Sequence, residues 1–89
     1  MAETLSNDGK IFKFTVSFMQ SMGRRQWLRV YVKRARYEGP RLRMVETGVA
    51  AQAHRFGKLE AEEIGRKLAS PEFHFQRGVQ VEKVEVAVL

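Results

Sequence analysis

The sequence contains no cysteine, so disulfide bonds, thiolate nucleophiles and cysteine-ligated zinc are all excluded. Its two histidines, His54 and His74, do not have the spacing of a metal-binding or catalytic motif. No apolar run approaches the ~20 residues that cross a bilayer, and residues 1–10 lack the basic and apolar regions of a signal peptide. The sequence therefore predicts a cytoplasmic protein that uses no metal or other cofactor and makes no membrane contact.

The usual sequence signals of an enzyme are also missing. There is no Gly-x-Ser-x-Gly nucleophile elbow, and no Walker or Gly-x-Gly-x-x-Gly phosphate loop. Glu62 and Glu63 look like paired carboxylates, but on a helix they face different directions and have basic partners four residues further on. A solvated helix face explains these acids better than an acid–base pair does. We therefore predict that the protein is not an enzyme.

The length and composition are those of one small globular domain. The chain has 89 residues, of which 44% are hydrophobic and 29% charged, and this is enough for a single modest core. The polar residues 1–9 predict a flexible N-terminal tail. Residues 10–89 then form one domain.

Three segments in the first half alternate between apolar and polar residues with a period of two, which is typical of half-buried strands. They span residues 11–18, 26–37 and 41–46. Gly23 and Pro40 mark the turns between them. The inward-facing residues are expected to include Phe14 and Val30, and the opposite face of the sheet is expected to be open to solvent.

The second half predicts one helix. Residues 58–69 place Ala61, Ile64 and Leu68 on one face, and we expect Ile64 to pack onto the inward face of the sheet. The connection at residues 47–57 is ambiguous because it mixes helix-favouring alanines with glycines.

A valine-rich strand at residues 79–88 completes the predicted fold. Its alternation changes phase at residues 82–83, which indicates a β-bulge. The predicted class is therefore α+β, an antiparallel sheet of about four strands in the order β-β-β-α-β with one helix packed on one face.

The net charge of +6 is unevenly distributed. Residues 10–43 hold ten basic residues and one acid, Glu38, whereas residues 44–89 hold six basic and seven acidic residues. Such asymmetry favours a polyanionic partner or an acidic protein surface. The alternative is a set of charges that only keeps the protein in solution.

The outward residues of the first hairpin combine positive charge with aromatic rings. Cations neutralise phosphates and rings stack on bases, which suits a single-stranded nucleic acid. The same side chains suit a protein interface, and a purely structural role in covering the sheet is the third interpretation. The candidate binding residues are Lys13, Arg24, Arg25, Trp27, Arg29, Tyr31, Lys33 and Arg36.

Two stretches of the second half resemble sequences of small accessory proteins of phages and mobile elements. They are AHRFGKLEAEEIGRKL (residues 53–68), in which an Ala-x-Arg-Phe step leads into a Glu- and Ala-rich helix, and VEKVEV (residues 81–86). Inhibitors of bacterial defence systems, such as anti-CRISPR proteins, are common among these proteins. The resemblance implies no site residues, and the basic character of this chain argues against mimicry of DNA.

Two functions are predicted on these grounds. The first is a non-enzymatic binding module that contacts nucleic acid, or a nucleic-acid-loaded complex, through a basic and aromatic sheet face. The second is a phage-encoded inhibitor that occludes a bacterial defence protein by protein–protein binding. Formation of a homodimer through the valine-rich last strand is a further expectation, although its charged residues are of the kind that protects a sheet edge.

Overall fold

The computed structural model describes residues 13–88. Its elements, in chain order, are strands β1 (Phe14–Gly23), β2 (Gln26–Glu38) and β3 (Arg41–Thr47), a short 3₁₀ turn (Ala50–Gln52), helices α1 (Lys58–Leu68) and α2 (Pro71–Arg77), and strand β4 (Val81–Val88). The strands form one antiparallel sheet in the order β3-β2-β1-β4. The predicted α+β class and four-stranded sheet are confirmed, while the predicted tail at residues 1–9 lies outside the described residues.

The inner face of the sheet, which the helices cover, carries the core. Phe18 of β1 is fully buried and pairs across the sheet with Val30 of β2. Helix α1 lies across β1 and β4 and buries the predicted residues Ala61, Ile64 and Leu68. The predicted core positions of Val30 and Ile64 are therefore confirmed.

Phe14 differs from the expectation, because it is only half-buried and packs at the edge of the core. Its backbone exchanges two hydrogen bonds with that of Phe56, at N···O distances of 3.0 and 2.7 Å. Phe56 takes the buried place, with 2% of its surface exposed. Gly57 follows as the N-cap of α1 in an extended conformation, so the ambiguous segment closes one end of the sheet before the helix begins.

Helix α2 is an addition to the predicted fold, because the sequence predicted only one helix in the second half of the chain. Ser70 and Pro71 end α1, as expected, but they also begin α2. The Ser70 hydroxyl accepts a hydrogen bond from the Phe73 backbone N–H at 3.3 Å, and Pro71 stands in the first turn, where its missing N–H has no intrahelical partner to lose. Phe73 then packs edge-on against Phe18, with ring centroids 5.7 Å apart.

The bulge predicted in β4 is confirmed. Ser17 pairs with Glu85 but Met19 pairs with Glu82, so β4 has one extra residue between these positions. Lys83 lies in the bulge and has a left-handed backbone conformation, with a φ of 50°. This shift turns Val84 toward α1 and keeps the hydrophobic side of β4 on the inner face.

Candidate nucleic-acid interface

The outer face of the sheet, opposite the helices, presents the two predicted aromatic rings. Tyr31 of β2 lies opposite Ser17 of β1, and Trp27 lies opposite Ser21. Since the serine side chains are short, they leave space beside each ring. Trp27 is 37% exposed and Tyr31 is half-buried, so the structure brings both rings onto one surface.

The centre of the outer face is more covered than the sequence suggests. Thr15 and Ser17 are only 2% and 5% exposed. The Thr15 hydroxyl donates to the Ala87 carbonyl at 3.3 Å. The guanidinium of Arg29 donates hydrogen bonds to the Ser17 hydroxyl and the Lys83 carbonyl, each at 3.2 Å. It also lies 3.8 Å from a Glu85 carboxylate oxygen. Arg29 is thus built into the surface between the rings, and part of its charge is already balanced.

A second bulge, which the sequence reading missed, lies in β2 beyond the rings. Val32 pairs with Glu46 and Arg34 pairs with Val45, so Lys33 is an extra residue in the ladder. Lys33 and Arg34 therefore both stand opposite Val45, and two successive cations lie at one point of the outer face.

The bulge reverses the alternation of the rest of β2. Ala35, Leu42 and Met44 pack against the core, so the residues that alternate with them along each strand belong to the outer face. Unbroken alternation from Val32 would have buried Arg34 under the helices. The arginines that the hairpin of β2 and β3 carries on the outer face are Arg34, Arg36, Arg41 and Arg43.

The acids near these cations neutralise only some of them. Glu38 bonds to both Arg36 and Arg43, at 2.9 Å in each case. No carboxylate within residues 13–88 forms an ion pair with the remaining cations along this face, which are Arg24, Arg25, Lys33, Arg34 and Arg41. We call these five residues the unpaired cations. Their charge is available to an anionic ligand.

Lys13 and Arg36 are the two remaining sequence candidates. Lys13 precedes β1, and its ammonium lies 5.8 Å from the centroid of the Phe14 ring. Arg36 is on the predicted surface, but Glu38 already holds it. The sequence-based candidates did not include Arg34 or Arg41. The signal for Arg34 was its position directly after Lys33, because two successive cations break the apolar–polar alternation of β2.

The turn between β1 and β2 holds its two arginines in an unusual backbone conformation. Arg24 and Arg25 have φ values of 52° and 63°, the left-handed region that a two-residue type I′ hairpin turn requires at both central positions. Asn-Gly is the preferred pair there, and other L-residues cost roughly 1 kcal/mol each. The turn therefore presents two exposed cations at a cost in stability.

Replacing both residues by the preferred turn pair should stabilise the fold. We expect Arg24→Asn with Arg25→Gly to raise the free energy of unfolding by about 1–2 kcal/mol, measured by urea denaturation. Arg24→Ala with Arg25→Ala removes the same charges without relieving the backbone and should give no such gain. Equal stability of the two double variants would contradict a strained turn.

Tyr37, near the end of β2, points to the helical side of the sheet. Its hydroxyl donates a hydrogen bond to the Glu63 carboxylate of α1 at 2.9 Å. Burial, followed by this hydrogen bond, raises the pKa of Tyr37 above its usual value. The hydroxyl therefore stays protonated at neutral pH and ties the far end of β2 to α1.

Two other features are absent from the part of the chain that is described. Residues 13–88 contain no group of three or more histidines or acids placed to hold a metal ion, and no helix among them is long and apolar enough to span a membrane. No protein-family model, curated protein or solved structure matches the chain. The candidate interface is thus interpreted from its own residues.

Proposed function

We propose that the protein is a non-enzymatic module that binds single-stranded nucleic acid on the outer face of its sheet. The observation that carries this proposal is the arrangement along β2 and the turn before it, where four of the unpaired cations lie on either side of Trp27 and Tyr31. Arg24 and Arg25 precede the rings in the chain. Lys33 and Arg34 follow them at the bulge.

The spacing of these groups suits a strand that lies along β2. From Arg25 to Arg34 the chain advances by nine residues, or roughly 30 Å at 3.3 Å per residue. A backbone of several nucleotides can contact cations at both ends of such a path while bases between them stack on the rings. Arg29 is fixed between the rings, which keeps the aromatic part of the surface ordered.

The two rings on the outer face favour a single strand over a duplex. Bases in a duplex are stacked on one another and cannot lie on a tyrosine or tryptophan without being extruded, which costs a few kcal/mol per base. A single strand exposes the flat faces of its bases at little cost. We therefore expect tighter binding of an oligonucleotide alone than of the same oligonucleotide annealed to its complement.

The salt dependence of binding tests the proposal. If the five unpaired cations each contact a phosphate, the slope of log K against log salt should be about −3.5 for a single strand, so affinity should fall roughly 100-fold between ~50 and ~200 mM salt. Trp27→Ala or Tyr31→Ala should weaken binding by ~1–3 kcal/mol and leave that slope nearly unchanged. Fluorescence anisotropy with a labelled oligonucleotide measures both quantities.

Two variants that remove equal charge from different places test whether binding uses the outer face or only the net positive charge of the protein. Arg24→Ala with Arg25→Ala should reduce the size of the slope by about 1.4. Lys58→Ala with Lys67→Ala removes the same charge from exposed positions of α1 and should leave it unchanged. Equal effects of the two pairs would contradict the proposed face. Absence of oligonucleotide binding at ~50 mM salt would contradict the function itself and favour the alternative of a phage-type inhibitor that occludes a protein.

A further inference from the structure

The two edge strands of the sheet, β3 and β4, carry opposite charges. The strand order places β3 at one edge and β4 at the other, and neither pairs with another strand on its outer side within residues 13–88. Each edge therefore presents backbone N–H and C=O groups that an additional strand could bind. The side chains beside these groups decide which strand that is.

The β3 edge is basic on the outer face and apolar on the inner face. Arg41 and Arg43 belong to the outer face, while Leu42 and Met44 pack toward the core. Beneath this edge, between β3 and α2, lies a groove of about 870 Å³ that Leu42, Met44 and Phe73 help to line. A strand added here would place its inward side chains over the apolar part of this groove, beside the Glu46–Arg77 ion pair that also lines it.

The β4 edge is acidic on the outer face and, like the β3 edge, carries apolar residues on the helical side. Glu85 lies opposite Ser17 and therefore belongs to the outer face, as does Glu82. Val86 points to the helical side, where its Cγ2 lies 3.0 Å from the position that a β-carbon on Gly65 would occupy. Acids outside and valines inside are thus the complement of the β3 edge.

We propose that the β4 edge of one copy of this chain pairs with the β3 edge of the next. The four strands alternate in direction across the sheet, so β3 and β4 run in opposite directions. A second copy displaced sideways, with its helices on the same side, presents β4 antiparallel to β3. The strands have similar lengths, seven and eight residues. This inference concerns self-assembly and does not depend on the proposed function.

The charges of the two edges disfavour pairing of like edges. Two β3 edges would bring arginines together, and two β4 edges would bring glutamates together, both of which are destabilising across strands. Pairing of β3 with β4 instead places two arginines beside Glu82 and Glu85 of the neighbour. Arg41 is one of the unpaired cations, and Arg43 shares the single carboxylate of Glu38 with Arg36. It also places the neighbour's Val86 on the side of the groove. Because the contact joins two different surfaces, it continues from copy to copy as an open chain or a closed ring.

A charge-reversal cycle tests the pairing by sedimentation velocity on the full chain without nucleic acid, at about 0.05 and 0.5 M salt. The parent should show a mass that rises with concentration at low salt and falls at high salt. Arg41→Glu with Arg43→Glu, and Glu82→Lys with Glu85→Lys, should each weaken association by about tenfold or more. All four changes in one chain restore opposite charges and should restore association.

Circular dichroism of each variant shows whether it is folded. The neutral pairs R41Q/R43Q and E82Q/E85Q replace any reversal that fails to fold, and each should weaken association in the same direction. A parent that stays monomeric at low salt overturns the proposal, as does a dimer that grows no further. Association that survives both single reversals, or that does not return in the combined folded variant, overturns it as well.

Discussion

Phe18→Ala is expected to lower the free energy of unfolding by ~3–5 kcal/mol. The Phe18 side chain is fully buried, its ring meets that of Phe73 edge-on at 5.7 Å, and the Arg77 guanidinium lies 4.9 Å from its centroid. The substitution would leave a cavity between β1 and α2 that these neighbours cannot fill. Since small domains have only ~5–15 kcal/mol of stability, urea denaturation should show a much lower midpoint.

Phe75→Ala is the matched control for this substitution. It makes the same change on α2, but the side chain is 88% exposed, so the expected effect is within about 0.5 kcal/mol. Comparable destabilisation by the two variants would contradict the packing of α2 on the sheet. Loss of stability in Phe75→Ala alone would mean that the other face of α2 meets the core.

The sequence was sufficient to predict the buried position of Val30 because strand periodicity has a direct physical cause. A sheet buried on one face must place its apolar residues two apart, and a shift of one residue would expose all of them. The same reasoning found the stripe of α1 and the bulge at Lys83, where the alternation of valine and charge visibly breaks. These features are local, so the neighbouring residues contain enough information.

Helix α2 could not be predicted in the same way because its contacts are distant in sequence. It has seven residues, too few for a helix to be stable alone in water. Its Phe73 packs on Phe18 of β1, and its Arg77 bonds to Glu46 of β3, 31 residues away. Its local signals are Ser70 and Pro71 at the start and the left-handed Gly78 at the end, and these residues are common in turns outside helices as well.

The location of the candidate interface was predictable from the sequence, but which of its cations are neutralised by acids was not. An excess of positive charge in residues 10–43 is a property of composition, and the rings of Trp27 and Tyr31 follow from alternation. Which cations are neutralised depends instead on register, since Arg29 reaches Glu85 across β1 and Arg43 reaches Glu38 around a turn. These ion pairs depend on which residues lie opposite one another in the sheet, and the strand register could not be read from the sequence alone.

Arg77 joins α2 to the sheet through more contacts than its surface position suggests. Its guanidinium donates two hydrogen bonds to the Glu46 carboxylate, one of them at 2.8 Å, and its Nε donates to the Gln20 side chain at 2.6 Å. It also lies over the rings of Phe18 and Phe73. The side chains of Arg77 and Glu46 are 19% and 27% exposed, so water screens this pair less than an ordinary surface pair.

We therefore expect Arg77→Met to destabilise the fold by about 1–3 kcal/mol, between the values for an exposed and a fully buried ion pair. Methionine keeps an apolar contact with the rings but leaves Glu46 on the helical side without its partner. A double-mutant cycle with Glu46→Met should show that the combined variant loses clearly less than the sum of the two single variants, because it leaves no unpaired charge. Hydrogen exchange should show α2 opening more often in Arg77→Met while α1 stays protected. Additive effects in the cycle would mean that the two residues stabilise the domain independently, contrary to the bidentate geometry.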